Sequence, residues 1–315
     1  MTLLSIQNLR VHFLTEDGIV KAVNDVDLVI DEGDTLGLIG ETGCGKTVLG
    51  LSILRLLPKN ARIEGKILYR GKDLLKISEE EMRKIRGKEI AMIFQNALTS
   101  LNPVLTIGTQ LSEPFELHHG LKKKNAIQKV IEMLKLVQIP SPSERVREYP
   151  HEFSGGMRQR AMIAMGLACK PFLIIADEPT KGLDVTIQAQ IIDLMRELTK
   201  SSMSSMLLIT HDLSLATELC DNIAVMYAGE IIEYGSIKEL FKNPKHPYTQ
   251  GLLDSHPSRG LKPMHGISPS LINLPEGCKF HPRCALAMKV CKNKRPQMVE
   301  IEKKHFVRCF LYDYD

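Results

Sequence analysis

A glycine-rich octet constrains the fold of this 315-residue chain more than any other feature. It follows a short apolar stretch, Thr35 to Ile39, and precedes a helical stretch, Val48 to Leu57. The octet reads Gly40-Glu41-Thr42-Gly43-Cys44-Gly45-Lys46-Thr47 and fits the pattern of a phosphate-binding loop. Its glycines let backbone N–H groups converge on phosphate oxygens, and the start of the following helix adds positive potential. The octet therefore predicts a strand, a loop and a helix that together hold phosphate.

Two adjacent carboxylates end a second apolar stretch, Leu173 to Ala176. Because successive side chains of a strand point in opposite directions, Asp177 and Glu178 cannot share one role. Asp177 is suited to the Mg²⁺ shell, and Glu178 to polarising an attacking water. In the octet, Lys46 would reach the outer phosphates and Thr47 would offer its hydroxyl to Mg²⁺.

A second anion site is indicated by Ser154-Gly155-Gly156, which precedes the helical run Arg160 to Ala168. Ser154 can cap this helix, and the two glycines leave backbone N–H groups accessible. An ordinary serine cap on a core helix would have the same local pattern.

The alternation of apolar stretches with amphipathic ones predicts an α/β chain with a largely parallel sheet covered by helices. Strand signals fade between Ala97 and Glu152, where we expect an inserted helical subdomain. Charged residues make up 25% and hydrophobic residues 43% of the chain, which disfavours disorder and a membrane-embedded class. The formal net charge of +4 is small, and nucleic acid is not required as a partner.

Taken in order from about residue 5 to 240, these segments resemble the nucleotide-binding domain of the ATP-binding cassette (ABC) superfamily. The resemblance implies a P-loop NTPase with a RecA-like core and a mixed, mostly parallel sheet. It places the ABC domain at residues 1–240, with the helical subdomain at about 97–155. It also implies Mg²⁺-dependent ATP hydrolysis and a head-to-tail dimer, in which Ser154 to Met157 faces the phosphate loop of a second ATPase subunit.

The resemblance assigns further roles to single residues. Phe13 would stack on adenine, Gln95 would link the Mg²⁺ site to membrane subunits, His211 would sense the γ-phosphate, and Asp184 would cross to the partner. Without the resemblance, Phe13 is a half-buried strand aromatic, Gln95 and His211 are loop polar residues, and Asp184 is a helix cap.

The complete set of predicted site residues combines both arguments. Catalytic roles fall to Glu178, His211 and Lys46, and Mg²⁺ ligation to Thr47, Gln95 and Asp177. Nucleotide binding falls to Phe13, Gly40, Glu41, Thr42, Gly43, Cys44, Gly45, Lys46, Thr47, Val48, Gln95, Ser154, Gly155, Gly156 and Asp184. The chain departs from the superfamily pattern in two places: Met157 replaces a common Gln, and Lys181-Gly182 replaces a pair of small residues.

Three segments resemble the dipeptide and oligopeptide importers in particular: Leu101 to Ile107, His151 to Arg160, and His246 to Thr249. The resemblance implies a C-terminal extension at residues 241–315 that is typical of that group. It also implies a complex with a homologous ATPase subunit, two transmembrane permease subunits and an extracytoplasmic peptide-binding protein. The group includes nickel importers, so another cargo remains open, and a soluble non-transport ABC ATPase is the main rival.

Four of the seven cysteines lie in the last 38 residues, at Cys278, Cys284, Cys291 and Cys309. Their loose spacing favours an iron–sulfur cluster over zinc, which usually uses tight Cys-x-x-Cys pairs. The importer group has a similar cysteine arrangement, and the resemblance implies a [4Fe–4S] cluster. Zinc, and thiols that are unligated or form disulfides, remain alternatives.

No apolar run approaches the roughly 18 residues that span a bilayer, and Met1 to Arg10 does not have the pattern of a signal peptide. We therefore expect a cytoplasmic chain that lies peripherally on the cytoplasmic face of the cell membrane.

Overall fold

The computed structural model describes residues 1–257 and 260–313 of the chain. Residues 258, 259, 314 and 315 of the predicted C-terminal extension lie outside the described residues. The chain divides into two compact units. The first, the terminal unit, combines Met1–Lys76 with the chain from Leu208 onward, and the second, the central unit, is Ile77–Leu207.

The terminal unit contains a four-stranded antiparallel sheet in the order β2-β1-β4-β5. Its strands are β1 (Thr2–Thr15), β2 (Gly18–Asp31), β4 (Ala61–Tyr69) and β5 (Lys72–Asp73). Alternating positions of β1 are buried, first Leu4 and Ile6 and then, after a register shift, Leu9 and Val11, as expected for a sheet with one face toward a core.

A second group of strands in this unit has the order β11-β12-β10-β9-β3. They are β3 (Thr35–Ile39), β9 (Asn222–Tyr227), β10 (Glu230–Ser236), β11 (Val299–Glu302) and β12 (His305–Val307). Strands β3 and β9 pair in parallel, and the pairs from β9 to β11 are antiparallel. The predicted sheet is therefore mixed, with antiparallel strands added beside its parallel part.

The helices of the terminal unit are short, and several belong to the predicted extension. They are α1 (Lys46–Ile53), α9 (Leu213–Leu219), α10 (Ile237–Lys242), α11 (Pro247–Asp254) and α12 (Lys289–Asn293), with a 3₁₀ turn at His281–Arg283. Tyr248 and Phe280 of the extension share a buried hydrophobic cluster with Ile39 of β3 and with Val225 and Tyr227 of β9. Residues beyond 240 thus complete the same core as the phosphate-loop strand.

The central unit contains most of the long helices. Its elements are α2 (Glu79–Ile85), β6 (Ile90–Ile93), α3 (Ala97–Ser100), α4 (Ile107–His119), α5 (Lys123–Leu136), α6 (Pro142–Arg145), α7 (Gly155–Leu167), β7 (Leu173–Asp177) and α8 (Val185–Ser202). Strands β6 and β7 pair in parallel, and β8 (Ser205–Thr210) spans the boundary between the units. Every residue of β7 and β8 is buried, as is typical of strands covered on both faces.

Among residues 1–257 and 260–313, no helix combines the length and the apolar composition that crossing a bilayer would need.

Candidate functional site

The phosphate-loop octet turns tightly between β3 and α1, and two of its glycines are sterically required. Gly40 has φ +156° and Gly45 has φ +109°, values that favour glycine. A Cβ atom on Gly40 would lie 2.2 Å from the Met226 carbonyl oxygen, and one on Gly45 would lie 2.1 Å from the Ala22 carbonyl oxygen. The loop backbone is therefore in direct contact with β9 and β2, and no larger residue fits at either position.

Lys46, the first residue of α1, folds back over the loop. Its ammonium group donates to the carbonyl oxygens of Gly40 at 2.7 Å and Glu41 at 2.9 Å, and the side chain is buried. Gly45 at the N-cap offers no side chain to the helix start. Thr42, Gly43 and Thr47 are exposed, and Val48 is half-buried. The loop thus presents backbone and hydroxyl groups outward around one buried cation.

Glu41 is held by residues far along the chain. Arg283 binds its carboxylate with two nitrogens, Nη1 at 2.9 Å and Nη2 at 3.0 Å, and the Ser268 hydroxyl also donates to it. The backbone N–H of Glu41 donates to the Tyr248 hydroxyl at 2.9 Å. Burial would raise the pKa of the Glu41 carboxyl, but the hydrogen bonds from Arg283 and Ser268 and the Arg283 charge bring this pKa below its ordinary value.

In the central unit, the end of β7 places two buried carboxylates in succession. Glu178 has φ +43° and accepts a hydrogen bond from the Gln95 side-chain amide at 2.8 Å. The ammonium group of Lys181 lies 3.3 Å from the same Glu178 oxygen. Gln95 and Glu178, predicted from separate motifs, are thus neighbours, and Lys181 at the unusual position is the third member of the group.

The remaining predicted residues of the central unit lie at helix starts. Ser154 caps α7 by accepting from the Met157 N–H at 3.3 Å, and Asp184 caps α8 by accepting from the Ile187 N–H at 3.0 Å. Gly155 lines an open cavity of about 360 Å³ together with Gln95 and Lys181. Two predicted site segments, at Gln95 and at Gly155, therefore meet Lys181 at one concave surface of this unit.

Phe13 and His211 have less distinctive surroundings. Phe13 is half-buried in β1, where it pairs with Val20 of β2 and Ala61 of β4. His211 is exposed directly after β8. Phe13 thus lies on a strand and His211 in a loop, and their roles at the adenine and the γ-phosphate stay predictions.

The four C-terminal cysteines line one small cavity of about 10 Å³, with room for about one water molecule. All seven cysteines of the chain are free, so no disulfide forms here. Burial raises the pKa of Cys278 and of Cys309 to about 11, which favours the thiol over the thiolate. Across the described ranges 1–257 and 260–313, no three His, Cys, Asp or Glu side chains are arranged to hold a metal ion. The four predicted cysteines therefore line the same cavity, but their side chains are not arranged as metal ligands.

Three residues that contact the phosphate loop were missed at the level of sequence: Tyr248, Ser268 and Arg283. Tyr248 belongs to the segment that indicated the extension, and Arg283 is one of several basic residues among the tail cysteines. Neither signal indicated Glu41 as the partner, because no sequence spacing relates residues 242 positions apart.

Two protein-family models match the chain. The model described as ABC transporter matches residues 23–181. The model described as oligopeptide/dipeptide transporter, C-terminal region, matches residues 232–291.

Full-length relatives and solved structures agree with these matches. The dipeptide transport ATP-binding protein DppD of Bacillus subtilis is 48% identical, covering 98% of this chain and 95% of the relative. The oligopeptide transport ATP-binding protein OppD of Haemophilus influenzae is 44% identical, covering 98% of this chain and 97% of the relative. The dimeric post-hydrolysis structure of an ATP-binding cassette bound to ADP and Pi aligns with a TM-score of 0.66 at 26% identity, covering 74% of this chain and 98% of that one.

Proposed function

Because the chain belongs to the ABC transporter family of ATP-binding proteins, we propose that it powers the import of short peptides across the cell membrane. It is an ATP-binding and ATP-hydrolysing subunit of the ABC type, and ATP and Mg²⁺ are the ligands that this activity requires. The observation that carries the peptide assignment is the match of residues 232–291 to the C-terminal region of oligopeptide and dipeptide transporters.

For hydrolysis, we assign each role to residues whose surroundings support it. Glu178 acts as the general base that orients and deprotonates the attacking water, and Gln95 holds its carboxylate through the 2.8 Å hydrogen bond. Lys46 stabilises the outer phosphates, and His211 contacts the γ-phosphate after β8. The protein thus contributes positioning and charge stabilisation to an in-line displacement.

The residues proposed for Mg²⁺ offer only oxygen ligands: the hydroxyl of Thr47, the side-chain carbonyl of Gln95 and the carboxylate of Asp177. Such oxygen ligands are the ones that Mg²⁺ prefers. Mg²⁺ neutralises charge on the β- and γ-phosphates when it is bound. Phe13 is assigned to the adenine, and the backbone of the octet to the phosphates.

The assembly that we propose is a head-to-tail pair of ATPase subunits. At the start of α7, Ser154 and Gly155 are exposed and Gly156 is half-buried, which supports this arrangement, because backbone N–H groups there can bind the triphosphate held by the partner subunit. Asp184 would cross to the partner. Two transmembrane permease subunits and an extracytoplasmic peptide-binding protein complete the complex, with this chain on the cytoplasmic face of the membrane.

Uptake measurements in the source organism test the peptide assignment. Replacing the chain by its Glu178→Gln variant should abolish the uptake of labelled di- and oligopeptides and leave nickel uptake unchanged. Loss of nickel uptake alone would replace the peptide assignment by the nickel one. Unchanged uptake of both, with the chain absent from the membrane fraction, would support a soluble ABC ATPase instead.

We also propose that Cys278, Cys284, Cys291 and Cys309 bind a [4Fe–4S] cluster, with zinc as the alternative. Convergence of all four on one cavity supports this proposal, as does the absence of disulfides among the seven cysteines. Iron, acid-labile sulfide and zinc should be measured per chain after anaerobic purification. About four irons and four sulfides, lost in Cys284→Ser, are expected from four-cysteine ligation; one zinc or no metal would refute the cluster.

A further inference from the structure

The predicted C-terminal extension fastens the phosphate loop at Glu41. Three parts of this one residue are bound: Arg283 holds the carboxylate, the Tyr248 hydroxyl accepts from the N–H at 2.9 Å, and Lys46 donates to the carbonyl oxygen at 2.9 Å. Two of these three partners come from residues beyond 240. The conformation of the loop therefore depends on the extension.

Arg283 is itself firmly held, unlike the arginine of an ordinary surface ion pair. Its side chain is only 5% exposed, against 28% for Glu41. Its Nε donates to the carbonyl oxygen of His265 at 3.1 Å, and its guanidinium lies 5.8 Å from the ring centres of both Tyr227 and Phe280. A fixed, planar guanidinium that binds a carboxylate with two nitrogens loses little side-chain entropy in doing so.

The charge of Glu41 makes this contact relevant to nucleotide binding. A carboxylate in a phosphate-binding loop repels the phosphates that the loop receives, and the repulsion is strong where water is partly excluded. Arg283 neutralises that carboxylate and draws it toward the extension. Lys46 is left as the net positive charge of the loop, with its ammonium group against the Glu41 carbonyl.

A second contact joins the extension to the strand next to the loop. The Lys21 N–H of β2 donates to the Leu271 carbonyl oxygen at 2.9 Å, and a Cβ atom on Gly18 would lie 3.1 Å from Ile272. Ser268, in the same segment, reaches Glu41. The extension thus lies along both β2 and the phosphate loop.

We propose that Arg283 is a positioning residue of the nucleotide site, which sets the phosphate loop for a nucleoside triphosphate by anchoring and neutralising Glu41. The proposal rests on the ATP-binding function proposed above and assigns the extension a direct part in it. Removing Arg283 leaves an uncompensated carboxylate at the triphosphate site, whereas removing both charges does not.

Nucleotide affinity in the full-length protein tests this assignment. The dissociation constants of MgADP and of a non-hydrolysable MgATP analogue should be measured for the wild type, Arg283→Gln, Arg283→Lys, Glu41→Gln and the Arg283→Gln/Glu41→Gln double variant. Arg283→Gln should weaken triphosphate binding roughly tenfold, because breaking a partly buried pair leaves one charge unpaired. The triphosphate affinity of Arg283→Lys should lie between those of the wild type and Arg283→Gln, because lysine keeps the positive charge but cannot bind the carboxylate with two nitrogens.

Recovery in the double variant separates charge compensation from a structural effect. Triphosphate affinity should return to within about threefold of the wild type, because coupling between two contacting residues disappears when both are changed. Arg295→Gln is the matched control, since Arg295 also belongs to the extension and binds Asp25 of β2 at 2.9 Å, away from the loop. It should leave nucleotide affinity unchanged.

Two results would overturn the inference: wild-type affinity in Arg283→Gln, or a double variant that binds no better than Arg283→Gln. Equal weakening in Arg295→Gln would reduce the role of Arg283 to general stability of the extension. If the wild type itself bound no nucleotide, the proposed function would fail as well, so the two failures are distinguishable.

Discussion

Replacing Glu178 by Gln separates the chemical step from everything else that this residue does. The amide cannot accept the proton of the attacking water, and a general base contributes about 10²- to 10⁴-fold to a rate. We therefore expect turnover to fall at least about 100-fold, which corresponds to about 2.7 kcal/mol in activation free energy.

The cost to stability should be much smaller. A glutamine carbonyl can still accept the hydrogen bond that Gln95 donates at 2.8 Å. The ion pair with Lys181 is lost, but that lysine is 50% exposed, and such pairs contribute only about 0–1 kcal/mol. The melting temperature should therefore stay within a few degrees of the wild-type value, and ATP binding should be retained.

The assay is phosphate release at saturating MgATP, with nucleotide affinity and the melting temperature measured on the same preparations. Lys181→Gln is the matched control, because it removes the same ion pair and keeps the carboxylate; its turnover should stay within about threefold of the wild type. Turnover in Glu178→Gln within threefold of the wild type would refute the role of Glu178 as the base. A parallel loss of ATP affinity would show that the substitution disturbs more than the chemistry.

Three further predictions follow from local geometry. Gly45→Ala should abolish nucleotide binding in a nucleotide titration, because its Cβ atom would lie 2.1 Å from the Ala22 carbonyl oxygen. Gly33→Ala is the control: Gly33 has φ +83° and open space around it, so this variant should retain binding. Ser154→Ala should lower the free energy of unfolding in urea by about 1 kcal/mol through loss of the α7 cap, and Ser154→Asn, which can also cap, should not. Cys169 should react with iodoacetamide at pH 8 roughly 100 times more slowly than an ordinary free thiol, because burial raises its pKa to about 11 and thiolate forms only as the pH rises toward that value. Peptide mass spectrometry measures the labelling rate, and fast labelling would contradict the prediction.

The local elements of the nucleotide site could be predicted because each is formed by consecutive residues with a recognisable pattern. The strands predicted at Thr35 to Ile39 and Leu173 to Ala176 correspond to β3 and to β7, which is one residue longer. Helix α1 was predicted from Val48 to Leu57 but spans Lys46–Ile53. The helix ends early because Arg55 adopts φ +53°, a left-handed conformation that is uncommon for arginine and could not be predicted from the sequence.

Contacts between distant segments could not be predicted in this way. The pairing of Gln95 with Glu178 joins residues 83 positions apart. Glu178 was predicted from the strand that it follows and Gln95 from the family resemblance, and neither argument placed the two together. Arg283 is one of several basic residues among the tail cysteines, and its sequence neighbours give no information about Glu41. Hydrogen bonds of this kind depend on the packing of Tyr227, Tyr248 and Phe280, which only the folded core defines.

The 242 positions between Glu41 and Arg283 also have a consequence for synthesis on the ribosome. At about 5–20 residues per second, the nascent phosphate loop exists for roughly 12–50 s before the arginine that neutralises it has been translated. For most of that time Glu41 has neither Arg283 nor Tyr248, and β3 has no β9 to pair with, because Tyr248 and β9 are translated only late in this interval. A nascent chain that stops before residue 283 should therefore have a phosphate loop without the anchor that Arg283 gives Glu41 in the complete protein.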